Sequence, residues 1–129
     1  MKITLEDISV MYAVSENGPM GAAAVFKKIE DAINWELKGR KFYGVMQNGE
    51  YKACVSKIYS DDPNKLGLLT TTIPGGKYAR TKIADWEKHV EEISSTFDKL
   101  RKDHTIDTSR PDIEFYRSQK ELFLFVPIQ

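Results

Sequence analysis

The chain has little of what several common chemistries require. Its single cysteine, Cys54, cannot close an internal disulfide. With only two histidines, His89 and His104, it is short of imidazole for a nucleophile–base pair or a histidine-rich metal site. No stretch approaches the roughly 18 consecutive apolar residues of a membrane-spanning helix. Neither sign of charge is in surplus. Nineteen basic and nineteen acidic side chains cancel, so no net field gathers nucleic acid or a membrane surface. The opening MKITLEDISV carries no apolar run before a small-residue cleavage site, and the expected location is cytoplasmic, with the thiol reduced. What the chain does have is aromatic side chains. Two Trp, six Tyr and six Phe in 129 residues are many for a core of this size.

One domain over residues 1–129 is expected from the length. Period-two alternation over Ile8, Val10, Tyr12 and Val14 predicts a strand. Asn17-Gly18-Pro19 then opens a helix over about 19–37, with Ala22, Phe26, Ile29, Ala32 and Ile33 on its apolar stripe and Gly39 past its end. Asn48-Gly49 supplies the two positive φ angles of a type I′ hairpin between 41–47 and 50–58. The polar run Asp61-Asp62-Pro63-Asn64-Lys65 predicts a linker between half-repeats of about 1–58 and 66–129. In the second half, extended segments over 66–72 and 77–83 flank Pro74-Gly75-Gly76. A helix is predicted from Asp85, with Trp86, Val90, Ile93, Phe97 and Leu100 in register and Lys99, Arg101 and Lys102 at its cationic end. Two strands, 112–117 and 121–127, close the chain. The order strand, helix, strand, strand occurs twice. The expected class is α+β: a pseudo-two-fold repeat of β-α-β-β units, an antiparallel sheet with helices on one face, and a ligand groove between the halves.

Hairpin parity sorts side chains by face. A two-residue turn at Asn48-Gly49 groups Phe42, Gly44, Met46, Tyr51, Ala53 and Val55 as core, with Tyr43, Val45, Lys52 and Cys54 on the other side. A two-residue turn in the last hairpin groups Ile113, Phe115, Leu122, Leu124 and Val126 under the helix. It leaves Glu114, Tyr116, Glu121, Phe123 and Phe125 together; a three-residue turn breaks this sorting. Aromatic rings around a shielded acid suit a lipophilic cation. Glu114 is the candidate acid, with Glu121 solvated beside the turn. The alternative is that Glu114 faces solvent or bonds a neighbouring lysine or tyrosine.

Other chemistry finds little support. Cys54 reads as a small pocket or core residue, His89 and His104 as surface groups, and Trp86 as core. Glu91-Glu92 and Asp61-Asp62 read as solvated charge pairs, so neither a metal nor a cofactor is expected. Gly75-Gly76 lacks the lysine and hydroxyl residue of a phosphate loop and reads as a turn or bulge.

The segments IPGGKY (73–78), RPDIEFY (110–116) and LFVPI (124–128), in this order around an amphipathic helix, resemble the GyrI-like effector-binding domain family. That family supplies the ligand-binding halves of AraC-type and MerR-type multidrug regulators. The resemblance is clear over 66–129 and architectural over 1–58. It implies two strand-helix-strand-strand units around a cleft, as in the SOUL-like folds, and places the family's acidic pocket residue at Glu114. Where the family carries a polar or acidic residue and a tyrosine in the last strand, this chain has Phe123 and Phe125, which implies a greasier pocket. No helix-turn-helix is present to read DNA.

The expectation is a stand-alone small-molecule-binding domain for a lipophilic compound, a cation where the acid engages it. Its site residues are Glu114, Tyr116, Phe123, Phe125, Tyr43 and Cys54, with none assigned to catalysis or metal. Two alternatives follow from the resemblance: hydrolysis of an electrophilic small molecule by Glu114 and Tyr116, and inhibition of a gyrase-like protein partner through an exposed aromatic patch.

Overall fold

The computed structural model describes all residues, 1–129. In chain order, β1 (Lys2–Leu5) and β2 (Ile8–Ser15) lead into α1 (Ala22–Ala32). The hairpin β3 (Phe42–Gln47) and β4 (Glu50–Ser56) follows, then a one-turn helix α2 (Pro63–Leu66). The second half comprises β5 (Leu69–Ile73), β6 (Gly76–Ala84), α3 (Ile93–Lys102), β7 (Asp112–Tyr116) and β8 (Glu121–Pro127).

All eight strands form one antiparallel sheet in the order β1-β6-β8-β7-β3-β4-β2-β5. A pseudo-two-fold axis passes between β7 and β3 and relates β2-α1-β3-β4 to β6-α3-β7-β8. The outer strands are exchanged: β1 precedes one unit but pairs with β6 of the other, and β5 pairs with β2. These two ladders share a register. The pair Leu5↔Gly76 is followed by Ile8↔Ile73, a step of three residues on each side. Thus β1–β2 and β5–β6 are two long bent strands that cross and curl the sheet into a half-barrel. At the crossing the Gly75 amide donates to Asp7 Oδ1 at 2.6 Å. A Cβ on Gly75 would press against the Leu5–Asp7 backbone, so a side chain there would force the strands apart.

The helices cover the outer face. Under α1 lie Val25, Ile29 and Ile33 with Met11, Tyr51, Ala53 and Val55; under α3 lie Phe97 and Leu100 with Leu122, Leu124 and Val126. The inner face closes on itself around Val10, Tyr43, Val45, Cys54, Ile73, Tyr78, Ile113 and Phe125, with Ile3 and Leu5 of β1 packed alongside. Every strand therefore contributes to the interior of the curl.

Local chemistry differs from expectation at four places. The helix predicted over 19–37 begins as a 3₁₀ turn at Gly18–Gly21 and ends at Ala32, because Asn34 and Trp35 adopt left-handed backbone (φ 55 and 58) that no α-helix continues through. The helix predicted from Asp85 starts only at Ile93. Asp85 is itself left-handed (φ 51), and Trp86–Lys88 and Val90–Glu92 are separate 3₁₀ turns. The linker contains α2, whose N-terminus Asp62 caps by accepting from the Lys65 amide and whose end Gly67 closes in left-handed conformation. Asp61 is not a solvated charge: it accepts two bonds from the Arg40 guanidinium, at 2.6 and 2.8 Å, and both side chains are buried. That contact holds its carboxyl below the ordinary range, with the Ile58 amide adding a further bond.

Candidate functional site

The first hairpin has the expected parity. Asn48 and Gly49 carry φ of 53 and 79, Gln47 faces Glu50, and Gly44 faces Ala53. The second does not. Tyr116 faces Leu122, Glu114 faces Leu124, Phe115 faces Phe123 and Ile113 faces Phe125. Five residues, Arg117 to Glu121, separate the last paired positions. The Ser118 hydroxyl holds this loop by accepting from the Lys120 and Glu121 amides. An odd loop inverts the sorting that a two-residue turn produces. The expected site residues therefore part company. Glu114 and Tyr116 point outward to the helix side; Tyr43, Cys54, Phe123 and Phe125 lie on the inner face.

On the outer side Glu114 occupies the middle of the sheet, opposite Gly44 across the β3–β7 pair and between the two helix-covered clusters. The residue is 5 % exposed. One oxygen, Oε1, accepts from the Tyr51 hydroxyl at 2.6 Å and from the Tyr116 hydroxyl at 2.8 Å. The other, Oε2, has no protein donor and is not sealed from solvent. No lysine, arginine or histidine pairs with the group. Burial raises the Glu114 pKa above the ordinary carboxylate range, and the two tyrosyl donors only partly offset that shift. Burial and the adjacent carboxyl likewise push both phenols up, so Tyr51 and Tyr116 remain protonated donors.

Tyr51 belongs to β4 and reaches Glu114 over β3 because Gly44 has no side chain: a Cβ there would collide with the Tyr51 hydroxyl and the Glu114 carboxyl together. Parity assigns Tyr51 to core; the signal that marks it is the glycine on the adjacent strand, since a mid-strand glycine often records a close approach. Phe26 of α1 covers the group, edge-on to Tyr116 at 5.4 Å and to Tyr51 at 6.4 Å between ring centres. From the other half Trp86 meets Tyr116 edge-on at 5.1 Å, with its indole N–H donated to the Ser118 carbonyl. Trp86, expected as core, is thus half-buried against Tyr116 as well as a neighbour of the α3 cluster.

The inner face carries a ladder of near-parallel rings, Tyr43 on Phe115 at 5.1 Å and Phe115 on Phe123 at 6.3 Å. Arg80 caps it, 5.1 Å from the Phe123 ring centre. Phe125 packs edge-on to Tyr78. Cys54 is fully buried there, and burial pushes its thiol up to about 12, far from a reactive thiolate. His89, Glu91 and Glu92 bring ligand atoms within 4.8 Å of one another, but all three are exposed side chains of the kind common on surfaces. His104 bonds the Leu100 carbonyl at the end of α3.

No protein-family model matches the chain, and no curated protein sequence does. Solved structures do. An integron cassette protein from the mobile metagenome of Vibrio cholerae superposes with a TM-score of 0.74 at 17 % identity, over 100 % of this chain and 95 % of that one. The protein SAV2435 bound to tetraphenylphosphonium superposes with a TM-score of 0.67 at 13 % identity, over 100 % and 93 %. A hydrolase from Listeria innocua reaches 0.57 at 8 % identity, over 100 % and 90 %. At these identities the likeness is one of fold: a curled antiparallel sheet with helices on its outer face.

Proposed function

We propose that this chain binds a lipophilic organic cation in the groove between its halves, in the manner of the GyrI-like effector-binding domains that its second half resembles. The observation that carries the reading is a buried carboxyl with no basic partner, held by two tyrosines through one oxygen while the other has no protein donor. An uncompensated charge in a low-dielectric setting is costly, and a bound cation offsets that cost. The rings of Phe26, Tyr51, Tyr116 and Trp86 supply the apolar and quadrupolar contacts such a ligand needs. That a protein of this fold is seen with tetraphenylphosphonium supports the choice of ligand class. Tyr43, Cys54, Phe123 and Phe125, being on the inner face, are left out of the proposed groove.

Titration with tetraphenylphosphonium, followed by thermal unfolding, tests this. A ligand present at about 100 times its dissociation constant stabilises by about 2.7 kcal/mol. Uncharged triphenylphosphine oxide is the control. Stabilisation by the cation alone, lost in Glu114→Gln, is expected; equal stabilisation by both compounds, or none by either, would discard the cation reading.

A second reading is hydrolysis of an electrophilic small molecule. Glu114 with a raised pKa is suited to holding and transferring a proton, and two phenols stand beside it. Proteins of this fold named as hydrolases favour it. Incubation with strained-ring or epoxide substrates, with turnover abolished in Glu114→Gln, separates it from binding alone.

A further inference from the structure

At the end of the β3–β4 hairpin away from Asn48-Gly49, the loops 34–40 and 57–61 meet. Of the nine large apolar side chains that the fold leaves exposed, four are here: Trp35, Leu37, Ile58 and Tyr59, the last completely exposed. These loops are not loose. The buried Arg40–Asp61 pair locks them, and Arg40 also donates to the Ser56 carbonyl at 3.0 Å. The Arg40 amide donates to the Leu37 carbonyl, while Ile58 bonds Asp61 through both its amide and its carbonyl. The backbones of Leu37 and Ile58 are thus each one hydrogen bond from the two ends of the same ion pair.

Trp35 adds a separate observation. A bulky residue at φ 58, directly after Asn34 at φ 55, sits in backbone that glycine or asparagine tolerates and an aromatic residue rarely adopts. Backbone of this kind is held by its surroundings and clusters at functional sites. The ring is not buried for the sake of a core: it is 53 % exposed, with its indole N–H donated to Asp31 at 2.8 Å. The surrounding unpaired charge is mainly basic. Lys38, Lys41 and Lys57 are exposed and free of ion pairs, against Glu36 and Asp62.

We propose that this surface docks an acidic protein segment, with Trp35, Leu37, Ile58 and Tyr59 as apolar anchors and the three lysines as its rim. Exposed aromatic side chains on a fixed backbone are common centres of binding energy, Trp35 being held further by its bond to Asp31, and the rim charge selects the partner's sign. A membrane surface fits less well, because the Trp35 ring is tied back to α1 instead of projecting, and three lysines provide a weak field. The inference is independent of the ligand groove.

The test is selection of a random dodecapeptide phage library on the intact protein, followed by fluorescence anisotropy of the enriched peptides. Enrichment of acidic peptides with apolar anchors is expected, and their binding should weaken with added salt. Affinity should fall about tenfold or more in Tyr59→Ala with Trp35→Asn, and again in Lys38→Glu with Lys57→Glu. Trp35→Asn suits the local φ, so the double variant should retain its fold, which thermal unfolding checks. No enrichment, enrichment of basic peptides, or affinity unchanged in both variants overturns the proposal. So does loop-dependent binding to phosphatidylserine vesicles without peptide binding, which assigns the surface to a membrane.

Discussion

Gly44 and Glu114 face each other across the two central strands, and the side chain that Gly44 lacks is the space in which the Glu114 carboxyl meets the Tyr51 hydroxyl. One strand supplies the acid, the next supplies room, and the third supplies the donor. Gly44→Ala should therefore break the Tyr51–Glu114 bond and cost about 1–3 kcal/mol by overpacking. It should also weaken tetraphenylphosphonium binding. Thermal unfolding and titration read both effects, and an unchanged melting temperature with unchanged affinity would remove Gly44 from the site.

The sign of the Glu114 shift sets a pH dependence. Burial raises its folded pKa above the unfolded value, so the folded state prefers the protonated acid. Its contribution is complete below the unfolded pKa and is lost as pH rises through the folded one. Glu114→Gln, which never ionises, should gain stability relative to the parent between acid and neutral pH. Parallel stability curves for the two proteins would show that the shift is absent. If cation and proton compete for this carboxyl, cation affinity rises with pH over the same interval.

Tyr51 and Tyr116 donate to the same oxygen, so they are expected to act as a unit. Each bond favours the ionised carboxyl, and Tyr51→Phe or Tyr116→Phe should raise the Glu114 pKa further. The double variant should depart from the sum of the single ones, as coupled neighbours do. Carbon-detected NMR titration of the Glu114 carboxyl measures this; additive shifts would mean that the two hydroxyls act independently, and absent shifts that they are spectators.

Asp61 has the opposite sign. Its carboxyl is held low by Arg40, so its contribution to stability is present above the unfolded pKa and lost as pH falls through the folded one. Asp61→Asn should destabilise by about 1.5–3 kcal/mol near neutrality, the range for hydrogen bonds to a charged group, and less in acid. Chemical denaturation at two pH values tests it, and equal losses at both would contradict the assignment.

Cys54 should be inert in the native protein. It is fully buried and its thiol is pushed up to about 12, so alkylation by iodoacetamide should proceed only at the rate at which the fold opens. Rapid labelling without denaturant would show that the inner face opens in solution.

Where local chemistry decided structure, the sequence could be read directly. The Asn48-Gly49 turn set the register of β3 and β4, and with it the placing of Phe42, Gly44, Met46, Tyr51, Ala53 and Val55 on one face. The apolar spacing of Ala22, Phe26, Ile29, Phe97 and Leu100 located both helices, though not their ends, because left-handed Asn34, Trp35 and Asp85 leave no mark on hydrophobic periodicity. Ser118-Gln119-Lys120 could be taken as a short turn, and its true span reversed the parity of the second hairpin. That single uncertainty moved Glu114 and Tyr116 away from Phe123, Phe125 and Tyr43.

By itself, then, the sequence determined the α+β class and the two-fold order of elements, and it offered Glu114 as a candidate acid. The class and the order follow from local signals, hydrophobic period and turn residues. Tertiary structure decided what surrounds that acid. Tyr51 lies 63 positions away in the chain, and Phe26 and Trp86 come from different halves; only the crossing of β1–β2 with β5–β6, and the pairing of β3 with β7, brings them together. Long-range pairing is set by the burial of whole faces, which no local window contains. For the same reason the aromatic surplus divides in two, some rings packing the inside of the curl and others closing over Glu114.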